Sequence, residues 1–283
     1  MGNRVIDRLK AGIAVLALCG VAGPALADGL DKGSLKDSAP AEPKREWELT
    51  YNFSAVSQYV FRGFSQSAER PAVQGGADLT YKWFYAGIWS SLIDFDKDAN
   101  FPTLDVAHTE IDYYAGIKPV FGKITFDLGV IYYTYPRARD GGLFANKELD
   151  MIELKFGAST EVWKDATVGA TVFYSPEYTG QTGDVWTFEG TIAQGLPKIR
   201  DITPSISATL GYQTGDTALY RSLVANGDDD FLYWNIGLGL AFGDRFSLDF
   251  RYWDTNVSTA NSFCDGKILQ CDERFVASAK VTY

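Results

Sequence analysis

His108, Glu110 and Asp112 alternate, so an extended chain places all three on one face. A histidine beside carboxylates can act as a general base. No Ser or Cys stands next to it in a nucleophile signature, and the chain has no G-x-S-x-G elbow. The sequence therefore names no catalytic residue, and His108 reads as one polar residue of a wall. A metal site needs three or four ligands, and His108 is the single histidine of the chain. Asp228-Asp229-Asp230 offers loose Ca²⁺ donors at best and reads as a solvated loop. No metal and no cofactor are expected. Arg62 is a different kind of candidate, a guanidinium followed by Gly63 on the polar side of a strand. At a pore mouth it could pair with a carboxylate such as Asp78. It would then serve as an electrostatic gate, or as a brace tying a loop to the wall, and both readings stay open.

The elements that position these residues alternate with period two, not 3.6. Trp47, Leu49, Tyr51, Phe53, Ala55, Tyr59 and Phe61 share one parity, and Glu48, Thr50, Asn52, Ser54 and Gln58 the other. The pattern recurs in segments of roughly 47–61, 71–82, 84–95, 105–119, 123–135, 147–160, 164–174, 184–194, 203–214, 230–243, 245–255 and 273–283, twelve in all. The third segment is apolar on both parities, so its facing is ambiguous. Links at Trp83, 120–122, 161–163 and 243–244 are very short, whereas those at 136–147, 215–229 and 255–272 are long and polar. Short turns at one end and long loops at the other describe a transmembrane antiparallel up-and-down β-barrel. One link, 195–202, is long for the short-turn end. About ten residues at ~3.3 Å each, tilted ~45°, cover roughly 25 Å of apolar height. The rival is a soluble β-sandwich, in which the same polar faces would be solvated outside. In the barrel reading the inner wall carries Asp78, Glu110, Asp112, Lys118, Asp127, Glu153, Lys155, Glu189, Asp249 and Arg251 as pore-lining candidates alongside Arg62. Their acidic excess predicts a mild preference for cations.

Composition agrees with a β-rich chain. Of 283 residues, 7 are Trp, 16 Tyr, 18 Phe and 28 Gly. The mean hydropathy of −0.11 excludes a polytopic helical membrane protein, whose every span needs ~20 mostly apolar residues. A net charge of −10 argues against nucleic acid as a partner, since phosphate binding needs a basic face. Residues 1–27 read as an export signal: Arg4, Arg8 and Lys10, then an apolar run at 11–19, then Ala25-Leu26-Ala27. Residues 28–45 read as a flexible polar leader and 46–283 as the barrel. Cys264 and Cys271 remain after cleavage in an oxidising compartment, where a disulfide is expected. It would close an eight-residue loop and contribute roughly 2–3 kcal/mol. The spacing is not that of a C-x-x-C redox pair.

One stretch is more specific than periodicity. Ser57-Gln58-Tyr59-Val60-Phe61-Arg62-Gly63-Phe64-Ser65-Gln66 is followed by Pro71-Ala72-Val73-Gln74-Gly75, then by Tyr85-Ala86-Gly87-Ile88-Trp89. It resembles the opening of the TorF porin family, also catalogued as the Gcw_chp family of unknown function. Tyr174-Ser175-Pro176-Glu177-Tyr178 is similar to a mid-chain element of that family, and Cys264 and Cys271 sit where its members often carry a cysteine pair. The resemblance implies an outer-membrane location and a channel-like role, with no catalytic residue to carry over.

The expected function is passive passage of small solutes through a narrow outer-membrane channel, not an enzymatic one. The alternatives are a closed structural or adhesive barrel and, further off, a barrel hydrolase using His108. The expected partners are outer-membrane lipid, the barrel-assembly machinery and the solutes. Phe275, Val281 and Tyr283, on one parity of the last segment, are the expected assembly signal.

Overall fold

The computed structural model describes residues 46–98, 101–138, 148–223, 227–257 and 270–283. The export signal and leader expected at 1–45 lie outside the described residues, as does Cys264. Twelve strands form the wall: β1 Trp47–Val56, β2 Ala72–Tyr81, β3 Phe84–Leu92, β4 Thr109–Ile117, β5 Ile124–Thr134, β6 Met151–Trp163, β7 Ala166–Ser175, β8 Val185–Gly195, β9 Ile202–Gly215, β10 Asp230–Phe242, β11 Phe246–Thr255 and β12 Arg274–Thr282. Each pairs antiparallel with its neighbour in sequence, and β12 pairs with β1, so the sheet closes on itself. Closure removes every edge, and a two-residue strand at Val120–Phe121 only lengthens one turn. No helix among the described residues is long and apolar enough to cross a membrane.

The two parities separate as alternation requires. Leu49, Tyr51, Phe53, Leu79, Ile88, Leu154, Phe156, Phe188, Leu210 and Ile236 are exposed on the outside. Their inward neighbours, among them Asn52, Gln74, Asp112, Glu153, Thr187, Thr209 and Asn235, are buried. A belt of exposed large apolar side chains around a polar interior is the inverse of a sandwich and suits a wall facing lipid. Trp83, Phe121, Trp163 and Tyr283 stand exposed at the short-turn end, where a membrane barrel carries an aromatic girdle. The ambiguous third segment resolves with Phe84, Ile88 and Leu92 outward and Trp89 and Ser91 buried inward.

Two expectations on boundaries change. The first wall strand stops at Val56 instead of running to Phe61, because the chain turns into the barrel there. The long link at 195–202 is a continued ladder: Leu196 N donates to Pro204 O (2.9 Å), and Ile199 and Ile202 exchange both backbone bonds (2.9 and 3.0 Å). Arg200, with φ of 55°, turns the chain between them. The protein thus keeps a tight hairpin at this end despite the extra residues.

The apolar core lies inside the barrel, in the half nearer the long loops. It includes Tyr59, Phe64, Trp89, Phe95, Tyr133, Tyr135, Met151, Phe173, Tyr178, Tyr220, Phe231 and Tyr233. Half of a wall built for water is therefore filled by side chains.

Candidate functional site

The filling segment begins where β1 ends. Val60–Phe61 and Phe64–Ser65 form a miniature hairpin, with Val60 opposite Ser65 and Phe61 opposite Phe64. Its two turn residues, Arg62 and Gly63, have φ of 48° and 88°. A two-residue hairpin loop with both central φ values positive matches the twist of its strands, and glycine is suited to the second position. The first position here is an arginine, which adopts that conformation at a cost.

Arg62 meets its partner across the lumen. Its Nη1 and Nη2 donate to the two carboxylate oxygens of Glu153 on β6 at 2.8 and 2.9 Å, and Nη1 also donates to Gln213 Oε1 on β9 at 3.3 Å. Both charged side chains are 1% exposed. The guanidinium carbon lies 4.7 Å from the Phe61 ring centroid and 5.0 Å from that of Phe173. Tyr133 donates its hydroxyl to Glu153 at 3.0 Å. Burial works against the Arg62 charge and the Glu153 carboxylate offsets it, leaving the guanidinium well above its ordinary pKa. A bidentate pair of this kind is the strongest form of side-chain bridge.

The rest of the segment is fastened on both sides. The Tyr59 ring meets the Trp89 ring edge-on at 5.4 Å, and the Phe64 ring meets that of Phe231 at 5.2 Å. Ser65 N donates to Gln270 O and Asp94 N to Gln66 O, each at 2.8 Å. Tyr59 reaches Glu110 through its hydroxyl at 3.4 Å. Burial, with Glu110 and Asp112 adding to it, pushes the Tyr59 hydroxyl well above its ordinary pKa, so it remains a donor. Tyr220, from the short helix Ala218–Leu223, closes the layer and accepts from Gln213 Nε2 at 3.3 Å.

Toward the short turns the interior opens into a polar vestibule. Asp127 accepts from the Tyr85 hydroxyl and from Lys155 Nζ, each at 2.7 Å, and Lys118 Nζ lies 3.8 Å away. Asp78 accepts from the Tyr114 hydroxyl at 2.5 Å. Opposite them Arg251 is held by Asp249 (2.9 Å), Ser207 (3.0 Å) and Asn235 (2.5 Å).

The residues read from the sequence therefore fall into two tiers. Arg62 pairs with Glu153, not with the suggested Asp78. The bulk of the acidic excess, Glu110, Asp112, Glu153 and Glu189, is buried in the closed layer. The vestibule below it carries Asp78, Asp127 and Asp249 against Lys118, Lys155, Arg251 and Lys280. The preference for cations expected from the count along the strands thus loses its basis. His108 is exposed while Glu110 and Asp112 are buried, so the three present no common accessible face. Among the described residues no group of three His, Cys, Asp or Glu could hold a metal ion. Asp229 and Asp230 cap strand ends: Asp229 O accepts from Gly215 N at 2.9 Å, and Asp230 Oδ2 from the Tyr212 hydroxyl at 2.8 Å. Gly75 and Gly76 lie within β2, and a Cβ on Gly76 would sit 2.8 Å from Ile88 O. Cys271 is buried, 1% exposed, and its expected partner Cys264 lies outside the described residues.

Sequence reasoning missed Tyr59, Gln213, Tyr220 and Lys280. Lys280 was legible on the polar parity of the last strand. Tyr59 shared the parity of the outward residues and gave no sign that its segment leaves the wall.

Among solved structures, the chain is similar to the KdgM porin, at 8% identity and a TM-score of 0.50, covering 83% of this chain and 98% of that one. It is similar also to the NanC porin, at 10% identity and a TM-score of 0.49, with the same coverage. LpxR from Salmonella typhimurium follows at 10% identity and a TM-score of 0.45, covering 83% and 99%. At 8% identity the likeness to the KdgM porin is one of fold. No curated protein matches the chain. A family model described as "Bacterial protein of unknown function (Gcw_chp)" matches residues 40–283.

Proposed function

The chain belongs to the Gcw_chp family of bacterial proteins of unknown function, and from that premise we propose that it is a porin-like barrel of the outer membrane with a narrow, gated lumen. The observation that carries the reading is how the lumen is closed. The barrier is a hairpin pinned by side chains, with Arg62 on Glu153, while the wall around it is a complete cylinder with a polar inner face. Removing the hairpin would leave a twelve-stranded barrel. Such a barrel falls between the eight-stranded ones that side chains fill and the sixteen-stranded ones that hold a wide channel. The solutes are small, passage is passive, and the protein carries out no catalysis. The reading extends to export through a signal at 1–27, a leader at 28–45, insertion by barrel-assembly machinery, and a TorF-like porin role.

A second reading, a closed structural or adhesive barrel, is favoured by the completeness of the plug, in which Arg62 and Glu153 are each 1% exposed. Planar-bilayer recording separates the two. The wild type is expected to show small or infrequent openings, and a variant with residues 58–69 replaced by a short turn is expected to show steady current. A folded variant that stays silent at every voltage would leave only the closed barrel.

A further inference from the structure

The vestibule carries an organised arc of charge that the closing hairpin does not use. It runs along the inner wall from β12 to β6. Lys280 stands opposite Ser54 of β1 and Ser247 of β11. Asp78 on β2 lies in electrostatic range of both Lys280 and Lys118. Lys118, after β4, shares Asp127 of β5 with Lys155 of β6. The arc thus holds three ammonium groups and two carboxylates, and each carboxylate already accepts from a phenol, Tyr114 or Tyr85.

The two tyrosines lie against the wall, not across the lumen. A Cβ on Gly87 would fall 2.5 Å from the Tyr114 ring, and Cβ atoms on Gly116 and Gly129 would fall 2.5 and 2.4 Å from the Tyr85 hydroxyl. Three inward glycines therefore let both rings lie flat against the wall. Lys118 Nζ sits 4.7 Å from the Tyr85 ring centroid. Lys118 and Lys155 are reachable, their side chains being 41% and 22% exposed.

A positive excess beside two wall-flush aromatic faces fits a ligand with one negative group and a compact carbon frame. We propose that this arc binds small organic anions, with the carboxylate or phosphate of the ligand near Lys118 and Lys280 and its carbon frame against Tyr85 and Tyr114. The proposal rests on the channel reading for its biological use, and it assigns that channel a substrate class. An acidic chain would thus carry an anion site, because its excess carboxylates are buried in the layer above.

The test compares two polyhydroxylated probes of opposite charge, gluconate and N-methylglucamine, by calorimetric titration into the detergent-solubilised barrel. Gluconate is expected to bind and N-methylglucamine not to. A Lys118→Gln/Lys280→Gln double variant is expected to lose roughly tenfold in gluconate affinity, the scale of one charge-assisted hydrogen bond. Lys123→Gln, outside the arc, should bind as the wild type does. Heat-modifiable gel mobility confirms that each variant is folded, and if the double variant fails to fold the single Lys118→Gln carries the comparison. Absence of gluconate binding by the wild type, equal binding of both probes, or an unchanged affinity in the folded variant would overturn the proposal. Bilayer current separates this site from the channel reading. Gluconate binding by a barrel silent in bilayers removes the channel and keeps the site, and a conducting barrel that ignores gluconate removes the site alone.

Discussion

Arg62 combines two unfavourable choices, a left-handed backbone and a charge withdrawn from water, and Glu153 is the common remedy for both. Breaking a buried pair by removing one partner leaves an uncompensated charge and costs about 3–5 kcal/mol, whereas replacing both with apolar groups is often close to neutral. Arg62→Met is therefore expected to destabilise the barrel by about 3 kcal/mol or more, and Arg62→Met/Glu153→Met to recover most of that loss. Denaturant unfolding followed by tryptophan fluorescence checks both, and a double variant no more stable than the single would deny the pair its role. Gly63 tests the turn itself. Its φ of 88° and a Cβ position 2.2 Å from Thr255 Cγ2 combine strain with a clash, whereas Gly122, with φ of 64°, has open space around it. Gly63→Ala should lower stability clearly more than Gly122→Ala, which carries only the left-handed penalty of about 1–2 kcal/mol. Equal losses would mean that the hairpin tolerates displacement. Of this pair the sequence made Arg62 conspicuous but not its partner, because Glu153 is 91 residues away and nothing local marks a contact at that separation.

The strands were legible because lipid and lumen impose opposite demands on successive residues. Legibility ended where the chain left the wall. Tyr59 and Phe61 continue the alternation of Trp47 to Phe53, so hydrophobic parity treats them as more strand. An apolar side chain facing lipid and one facing a filled lumen look the same in sequence. The Arg62-Gly63 step was the one local cue to a turn, weaker than Asn-Gly because arginine disfavours positive φ. The loop joining β11 to β12 supports the hairpin, since Gln270 O accepts from Ser65 N and Cys271 O accepts from Thr255 Oγ1, both at 2.8 Å. A Cys264–Cys271 bridge would stiffen that support. Native protein is expected to resist maleimide until reduced and to take up two labels afterwards. Cys264→Ser is expected to lower stability by roughly 2–3 kcal/mol. Rapid labelling of both thiols without reductant would exclude the bridge.

At the scale of the molecule, the even strand number and the alternation of short and long links point to one cylinder, and closure depends on the last strand meeting the first. That contact is the thinnest in the wall. β12 and β1 share five register pairs, Asn52 with Thr282 through Val56 with Ser278, while β9 and β10 share thirteen. Tyr51 and Tyr283 add two reciprocal backbone bonds of 2.8 Å beyond the ladder. Deleting Val281-Thr282-Tyr283 removes two of the five pairs and both bonds of Tyr51. The β1 backbone from Tyr51 to Phe53 would then face lipid with unpaired groups, each costing several kcal/mol. Val281 also pairs with Phe246 of β11, so the deletion frays the other side of β12 as well. Phe275, earlier on the outward parity, stays in place and cannot make good the lost seam. The truncated chain is expected not to insert into the outer membrane. Trimming 28–44, which precedes β1, should leave insertion nearly unchanged. Membrane fractionation with heat-modifiable mobility reads both. Assembly of the truncated chain at the wild-type level, or greater sensitivity to trimming the leader, would show that closure does not rest on this seam.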